Sequence, residues 1–333
     1  MAAAGGGYRR RQEPALTRDF GKDAGEEDFL EWLNRVIAPE EERAYGDPAE
    51  VHPTLHVIGA PRSGTTLLYQ VIANGLDIGY VNNLVAAFWL APATGVRLSR
   101  KLGLDGGSAS FDSRFGRTPG IEGPHEFGYF WNHRLGYPDL RQRDPAHEAT
   151  IDWDGLRRAI LAMEEARGGP MAFKPMLLTW HLEEMVRHMP RTCYVWIRRD
   201  PRDTALSLLK MRASLFGDYA VPSSLQPVEM DPSDPPWRQV AVQVVALERT
   251  IEEAARRMGP ERVLSIRYER LCADPGGVLG DIRALLGRHG APPALRSVPE
   301  PFTRQRNPDL DERFGDLVAG ALAELGVRAG TST

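Results

Sequence analysis

Six consecutive residues, Pro61-Arg62-Ser63-Gly64-Thr65-Thr66, bring together a guanidinium, three hydroxyls and a glycine. They follow directly on the apolar run Leu55-His56-Val57-Ile58-Gly59-Ala60, and an amphipathic helical pattern begins at once behind them. A strand that turns through glycine into a helix aims several backbone N–H groups, and the positive end of a helix dipole, at one small volume. Such a volume suits a phosphate or a sulfate, so the chemistry to expect here begins with anion binding.

Gly59 and Gly64 stand at the separation found in the phosphate loop of nucleoside triphosphatases. That loop also needs a lysine and then Ser or Thr after its second glycine, the lysine for the β/γ-phosphates and the hydroxyl for Mg²⁺. Here Thr65 occupies the lysine position, and the positive charge lies inside the loop as Arg62. Such a loop is poorly equipped for γ-phosphoryl transfer. A small-molecule kinase is therefore an alternative reading, as is a catalytically silent nucleotide-binding module.

The string resembles the 5′-phosphosulfate loop of sulfotransferases that use 3′-phosphoadenosine 5′-phosphosulfate (PAPS). The resemblance implies that Arg62, Ser63, Gly64, Thr65 and Thr66 wrap the phosphosulfate and that no metal is needed. The family also places an arginine at a strand end and a serine eight residues on, to grip the 3′-phosphate. Arg198-Arg199-Asp200-Pro201-Arg202-Asp203-Thr204-Ala205-Leu206-Ser207 has that form, with Arg199 and Ser207, not Arg198, at the family's interval. An arginine fork beside a hydroxyl and a helix N-terminus is a sensible phosphate site. Tyr268, in Arg267-Tyr268-Glu269, is similar to the family tyrosine that meets the adenine. Phe302 and Arg304 are similar to the aromatic and the arginine that cover the nucleotide. The family's Lys-Gly is absent after them, because Gln305-Arg306 follow.

Sulfuryl transfer, like phosphoryl transfer, rests on positioning and charge neutralisation. The resemblance aims Arg62, and the strand-end Lys174, at the oxygen on which charge builds. Lysine is otherwise scarce, with only Lys22, Lys101 and Lys210 besides it. His125 and Glu126, in a dense cluster of aromatic and ionisable residues, are the candidates for the base that takes the acceptor's proton. Histidine has the better unshifted pKa, whereas glutamate needs burial or a strong hydrogen bond to serve. The Lys-x-His pattern of the soluble animal-type branch is absent, because Pro175-Met176 follow Lys174. Glu126 matches the bacterial-type order and is preferred, with His125 the alternative. The acceptor implied is a hydroxyl or amine of a small molecule, lipid or natural product. The cluster Phe127, Tyr129, Phe130, Trp131 and the loop over 214–236 are candidates for lining its pocket.

The elements that must position these residues alternate between strand and helix. Strands are expected near 54–58, 78–81, 171–174, 193–197 and 262–268. Helices are expected near 26–43, 65–76, 84–90, 151–166, 178–188, 203–212, 237–258, 276–286 and 310–325, with Asp203 capping the sixth. Residues 103–124 read as an irregular loop and 214–236 as a lid or acceptor loop. Alternation of this kind predicts an α/β fold, a single P-loop-like domain with a mostly parallel central sheet flanked by helices. The domain is expected over 24–333, behind a flexible tail over 1–23.

With 333 residues, 42% hydrophobic, 26% charged and a formal net charge of −4, the chain has the composition of a globular protein and no basic excess for nucleic acid. The N-terminus lacks the order of a signal peptide. No stretch is apolar enough for a transmembrane segment, and the richest, over 84–96, is short and holds Pro92. Cys193 and Cys272 match no metal spacing, and two unframed thiols fit a reducing compartment, so a cytoplasmic setting is expected.

Overall fold

The computed structural model describes residues 16–327. Residues 1–15 of the expected tail lie outside that span. Its remainder carries a 3₁₀ turn, Arg18–Phe20, in which Phe20 is buried.

Short runs of β-branched and aromatic residues form five strands: β1 (Leu55–Ile58), β2 (Gly79–Tyr80), β3 (Met171–Phe173), β4 (Cys193–Arg198) and β5 (Val263–Arg267). They pair in the order β2-β3-β1-β4-β5, every pair parallel. In chain order the helices are α1 (Ala24–Ala44), α2 (Thr65–Gly75), α3 (Asn83–Ala86), α4 (Pro92–Lys101), α5 (Gly128–Arg134), α6 (Trp153–Arg167), α7 (Leu182–His188), α8 (Pro201–Phe216), α9 (Pro236–Met258), α10 (Tyr268–Ala273), α11 (Pro275–Gly287) and α12 (Pro308–Glu324). Parallel neighbours need crossovers, and α2 to α9, between the first and last strands, supply them.

The strand alternation of β4 assigns the two faces. Cys193, Val195 and Ile197 join a core with Leu68, Ile72, Leu271 and Ile282 from α2, α10 and α11. Tyr194 and Trp196 join the opposite core with Leu156, Ile160, Leu247 and Ile251 from α6 and α9. A further apolar cluster ties α8, α9 and α12 together. β1 lies between β3 and β4, in register His56 with Phe173 and Ile58 with Trp196. The residues that leave these three strands, 59–64, Lys174 and Arg199, therefore emerge along one edge. Carboxyl ends of parallel strands are where α/β sheets bind ligands.

The α/β class and parallel sheet are as the sequence predicts, and several local expectations are not. Asp200, not Asp203, caps α8, its carboxylate accepting from the amides of Arg202 (2.9 Å) and Asp203 (3.2 Å). Pro201 fixes the first helical φ, which makes the residue before it the cap. α8 continues past Arg212 to Phe216 and stops at Gly217 (φ 72°). The expected 214–236 loop thus shortens to 217–235. It is tied down by Gln239 to the carbonyl of Asp234 (2.7 Å) and Gln243 to that of Ser223 (2.8 Å). The helix expected over 178–188 is broken at His181, whose ring is held by Glu148 (3.0 Å) and the Tyr137 hydroxyl (3.0 Å). α4 occupies part of the apolar stretch over 84–96 and begins at Pro92. α1 docks by polar contacts more than by an apolar stripe. Buried Glu41 accepts from the amides of Ala93 (2.8 Å) and Thr94 (2.7 Å) at the start of α4, while Phe29, Trp32 and Val36 are exposed.

Candidate active site

The turn after β1 has little room for substitution. A Cβ on Gly59 would stand 2.6 Å from the carbonyl oxygen of Ile197 and 2.7 Å from Ser63 Oγ. Gly64 has φ 108°, and a Cβ there would meet the Tyr268 ring at 2.5 Å. Between them Arg62 is also left-handed, φ 73°, a conformation that arginine adopts only under constraint. The first N–H groups of α2 have no intrahelical acceptor. Ser63 Oγ is buried inside the loop without a hydrogen-bond partner.

Two arginines converge on this turn. Arg62 Nε donates to Ser207 Oγ at 3.1 Å, across 145 residues of sequence. Arg199 Nη1 donates to the carbonyl of Arg62 at 3.3 Å, Nη2 to that of Gln305, and its guanidinium lies 4.7 Å from the Tyr268 ring centre. Burial, and then the charge of Arg199, pull the Arg62 pKa down to about 10. Among the described residues no carboxylate lies within 4.0 Å of the Arg62 guanidinium, and Arg199 has only Asp203 at 3.9 Å. The pocket carries more positive charge than its own carboxylates neutralise, which is the electrostatic condition for holding an anion. Arg198 turns away, onto the Trp196 ring (4.4 Å) and toward Glu248 (3.6 Å).

Lys174, 4% exposed, links three separate segments. Its Nζ donates to Thr66 Oγ1 at 2.9 Å and to Glu126 Oε1. The Glu126 carboxylate stays part-exposed, so it is open to a ligand on its outer side. His125 differs from it in kind. Its Nδ1 accepts the amide of Phe127 at 2.9 Å, which assigns the ring proton to Nε2, and burial pulls its pKa down to about 4. A neutral ring in that tautomer has no free acceptor nitrogen. Of the two base candidates, only Glu126 presents an acceptor atom beside Lys174.

The remaining expected residues gather less tightly. Tyr268 begins α10 and accepts at its hydroxyl from the amide of Gln305 (3.3 Å), which brings 302–305 over Arg199. Phe302 is half-buried against Phe111, ring centres 5.0 Å apart. Arg304 is exposed and makes no side-chain hydrogen bond among the described residues. His181 and His188 belong to packing: His181 as above, His188 stacked on Trp153 at 5.3 Å.

Sequence reasoning missed Glu248 of α9. Its Oε1 accepts, at a long 3.4 Å, from the amide of Ala60 at the start of the loop, and burial pushes its pKa up to about 7. Nothing in the sequence around Glu248 marks it, because the contact depends on how α9 lies under β4. Among the described residues no group of three or more His, Cys, Asp or Glu side chains is placed to hold a metal ion. No helix among them is long and apolar enough to cross a membrane.

A family model described as "Sulfotransferase family" matches residues 53–291. The chain is 23% identical over 279 residues to the omega-hydroxy-beta-dihydromenaquinone-9 sulfotransferase Stf3 of Mycobacterium bovis, covering 78% of this chain and 70% of that protein. The protein of the same name from Mycobacterium tuberculosis matches to the same extent. Among solved structures, sulfotransferase STF9 from Mycobacterium avium superposes with a TM-score of 0.52 at 14% identity, over 94% of this chain and 86% of that one. Sulfotransferase STF1 from Mycobacterium tuberculosis H37Rv gives 0.51 at 13% identity, over 90% and 86%. At such identities the structural likeness speaks for the fold alone.

Proposed function

The chain belongs to the sulfotransferase family, and on that premise we propose that it transfers the sulfuryl group of PAPS to a hydroxyl of a lipid or other small natural-product acceptor. The observation that carries the donor half is the meeting of Arg62, Ser207 and Arg199 in one under-neutralised cationic pocket. The residues fit the donor in a second respect. Ser63 Oγ is a buried donor without a partner in a cradle that any Cβ on Gly59 or Gly64 would obstruct. In this reading Arg62 to Thr66 hold the 5′ end, Arg199 and Ser207 the 3′-phosphate, and Tyr268 with Phe302 and Arg304 the adenosine. PAPS supplies the sulfuryl group and leaves as 3′-phosphoadenosine 5′-phosphate.

Glu126 takes the acceptor's proton as the new O–S bond forms and the S–O bond to the phosphate breaks. Lys174 and Arg62 neutralise the charge that collects on the departing phosphate oxygen. With those cations built into the chain, the reading calls for no metal. Lys174 also fixes the Glu126 carboxylate, so one ammonium serves base and leaving group together. A lipid-like acceptor is supported by the relative whose name gives omega-hydroxy-beta-dihydromenaquinone-9 as its substrate.

The test is titration calorimetry with 3′-phosphoadenosine 5′-phosphate, followed by labelled PAPS with a panel of phenols, alcohols and hydroxylated isoprenoid quinones. Micromolar nucleotide binding and label transfer to a hydroxyl are expected. No binding at micromolar concentrations would reject the reading, and magnesium-dependent ATP turnover would favour a kinase.

A further inference from the structure

The loop between α4 and α5 comes up to the Glu126–Lys174 pair through a tight turn. Arg114 and Arg117 exchange backbone hydrogen bonds of 2.8 and 3.1 Å and close a two-residue turn on Phe115 and Gly116. Both central residues have positive φ, 53° and 89°. This is the mirror-image turn in which Asn, Asp or Gly normally leads, and phenylalanine is an unfavourable first residue. Its ring is put to use. Phe115 lies 5.3 Å from the Arg62 guanidinium and 5.8 Å from the Phe20 ring. A Cβ on Gly116 would stand 2.8 Å from Glu126 Oε1 and 3.9 Å from Lys174 Nζ. The backbone of the turn therefore rests directly on the Glu126–Lys174 pair.

A strap from the N-terminal segment holds the turn there. Thr17 donates its amide to the carbonyl of Leu215 (2.7 Å) and its hydroxyl to that of Ser214 (2.8 Å), at the end of α8. Five residues on, Lys22 donates to the Tyr129 hydroxyl on α5. Between these anchors Phe20 is 2% exposed. The guanidiniums of Arg114 and Arg117 flank its ring at 4.5 and 5.3 Å, and Arg117 donates to its carbonyl at 3.1 Å. The strap crosses from α8 to α5 with its one buried aromatic pressed against the turn.

We propose that Phe115, held in place by Phe20, is the wall of the acceptor subsite and selects an apolar alcohol or phenol over a sugar. The proposal rests on the reading of Glu126 as base and Arg62 as donor ligand. A hydroxyl that reaches Glu126 passes beside Gly116, and the carbon skeleton behind it meets the Phe115 ring. An apolar skeleton gains contact there, whereas a sugar would strip water from hydroxyls that the ring cannot satisfy. Phe115 is the specificity-determining residue and Phe20 a positioning residue that acts through it.

The experiment uses the full chain with Phe20→Ala, Phe115→Gly and the conservative Phe20→Leu, since glycine accepts the φ of Phe115 and preserves the turn. 2-Naphthol, 1-octanol and methyl glucoside serve as acceptors, beside 3′-phosphoadenosine 5′-phosphate calorimetry and amide exchange. Wild type should prefer 2-naphthol and 1-octanol to methyl glucoside by about 100-fold in kcat/KM, and Phe20→Ala and Phe115→Gly should cut that preference about tenfold. In Phe20→Ala, KM for PAPS and nucleotide affinity should stay within about twofold of wild type, and Phe20→Leu should recover most of the preference. In Phe20→Ala the Arg117 amide should exchange about tenfold faster. An unchanged preference, or acceptor and PAPS KM rising together, would overturn the wall. Unchanged exchange would overturn the strap. Failure of wild type to bind the nucleotide rejects the function on which the wall depends, while exchange still decides whether Phe20 holds the turn.

Discussion

Lys174 Nζ lies between Thr66 and Glu126, whereas Arg199 is bonded to the carbonyls of Arg62 and Gln305, and the proposed roles of Glu126 and Arg199 are separable by experiment. Glu126→Gln keeps an acceptor atom for Lys174 but removes the proton acceptor. Its kcat should fall about 10²–10⁴-fold, with nucleotide affinity unchanged within about threefold, by single-turnover assay with labelled PAPS and by calorimetry. Equal activity in the variant would remove Glu126 from the mechanism. Arg199→Ala should do the opposite. It deletes a guanidinium bonded to the carbonyls of Arg62 and Gln305, and should weaken nucleotide binding by about 2–4 kcal/mol, read as Kd. Retention of wild-type affinity would move the 3′-phosphate elsewhere. At this scale the sequence is legible where a site is written in consecutive residues. Arg62 to Thr66 form one turn, and Arg199 and Ser207 are joined by a short run from the end of β4 through the cap of α8 into its second turn. The trio Thr66, Glu126 and Lys174 is not written that way, because its members come from three segments that meet only across the sheet.

At the scale of elements, α8 is the support that sets Arg199 and Ser207 at their spacing. Asp200 caps it with two backbone hydrogen bonds. Asp200→Ala should cost about 1 kcal/mol of stability, measured by urea denaturation, and should weaken nucleotide binding because the first turn of α8 frays. If stability falls and affinity does not, the helix end takes no part in binding. The sequence placed this helix yet assigned its cap to Asp203, three residues late. Pro201 decides the matter: with φ already helical, the chain enters α8 at that residue. α1 is docked by buried polar groups. Its apolar residues recur at helical spacing, but the face that docks carries Asn34 and Glu41, since the amides of Ala93 and Thr94 at the start of α4 need an acceptor more than the core needs another stripe.

For the whole molecule, buried ionisable groups fix how stability responds to pH. Burial raises Glu164 to about 8 and Glu248 to about 7, from an ordinary 4.5. Between those limits the folded chain binds more protons than the unfolded one, so each carboxylate makes stability fall as pH rises. Burial lowers His125 to about 4 and His56 to about 3 from 6.5, which makes stability rise with pH up to about 6.5 and adds nothing beyond it. Above pH 6.5 the carboxylates lead, and the Cys193 thiol, pushed by burial up to about 12, acts in the same direction as pH approaches 9. Tm should therefore decline by about 2–4 °C between pH 6.5 and 8.5, by differential scanning calorimetry. Glu164→Gln, which keeps an acceptor for the Thr54 hydroxyl (2.7 Å), should flatten that decline. An equal decline in the variant would show that Glu164 is not its source.

By itself the sequence determined the α/β class, from its alternating strands and helices, and the glycine turn that carries β1 into α2, whose residues are close enough together to set their own φ, ψ and hydrogen bonds. Arg199 and Ser207 are singled out together by the family resemblance. The resemblance sets Lys174 and Arg199 near the loop, but only the tertiary structure decided the contacts, Lys174 to Thr66 and Glu126, Arg62 to Ser207, and Arg199 to the Arg62 carbonyl, with β1 between β3 and β4. It also decided that Glu248 backs Ala60, that Phe20 packs against Phe115, and that Gly116 of the same turn comes up to Glu126. An alternation of strands and helices is compatible with several strand orders, and the order that forms is settled by which apolar faces pack together. Residues brought together by that choice carry no mark of it in their own neighbourhoods.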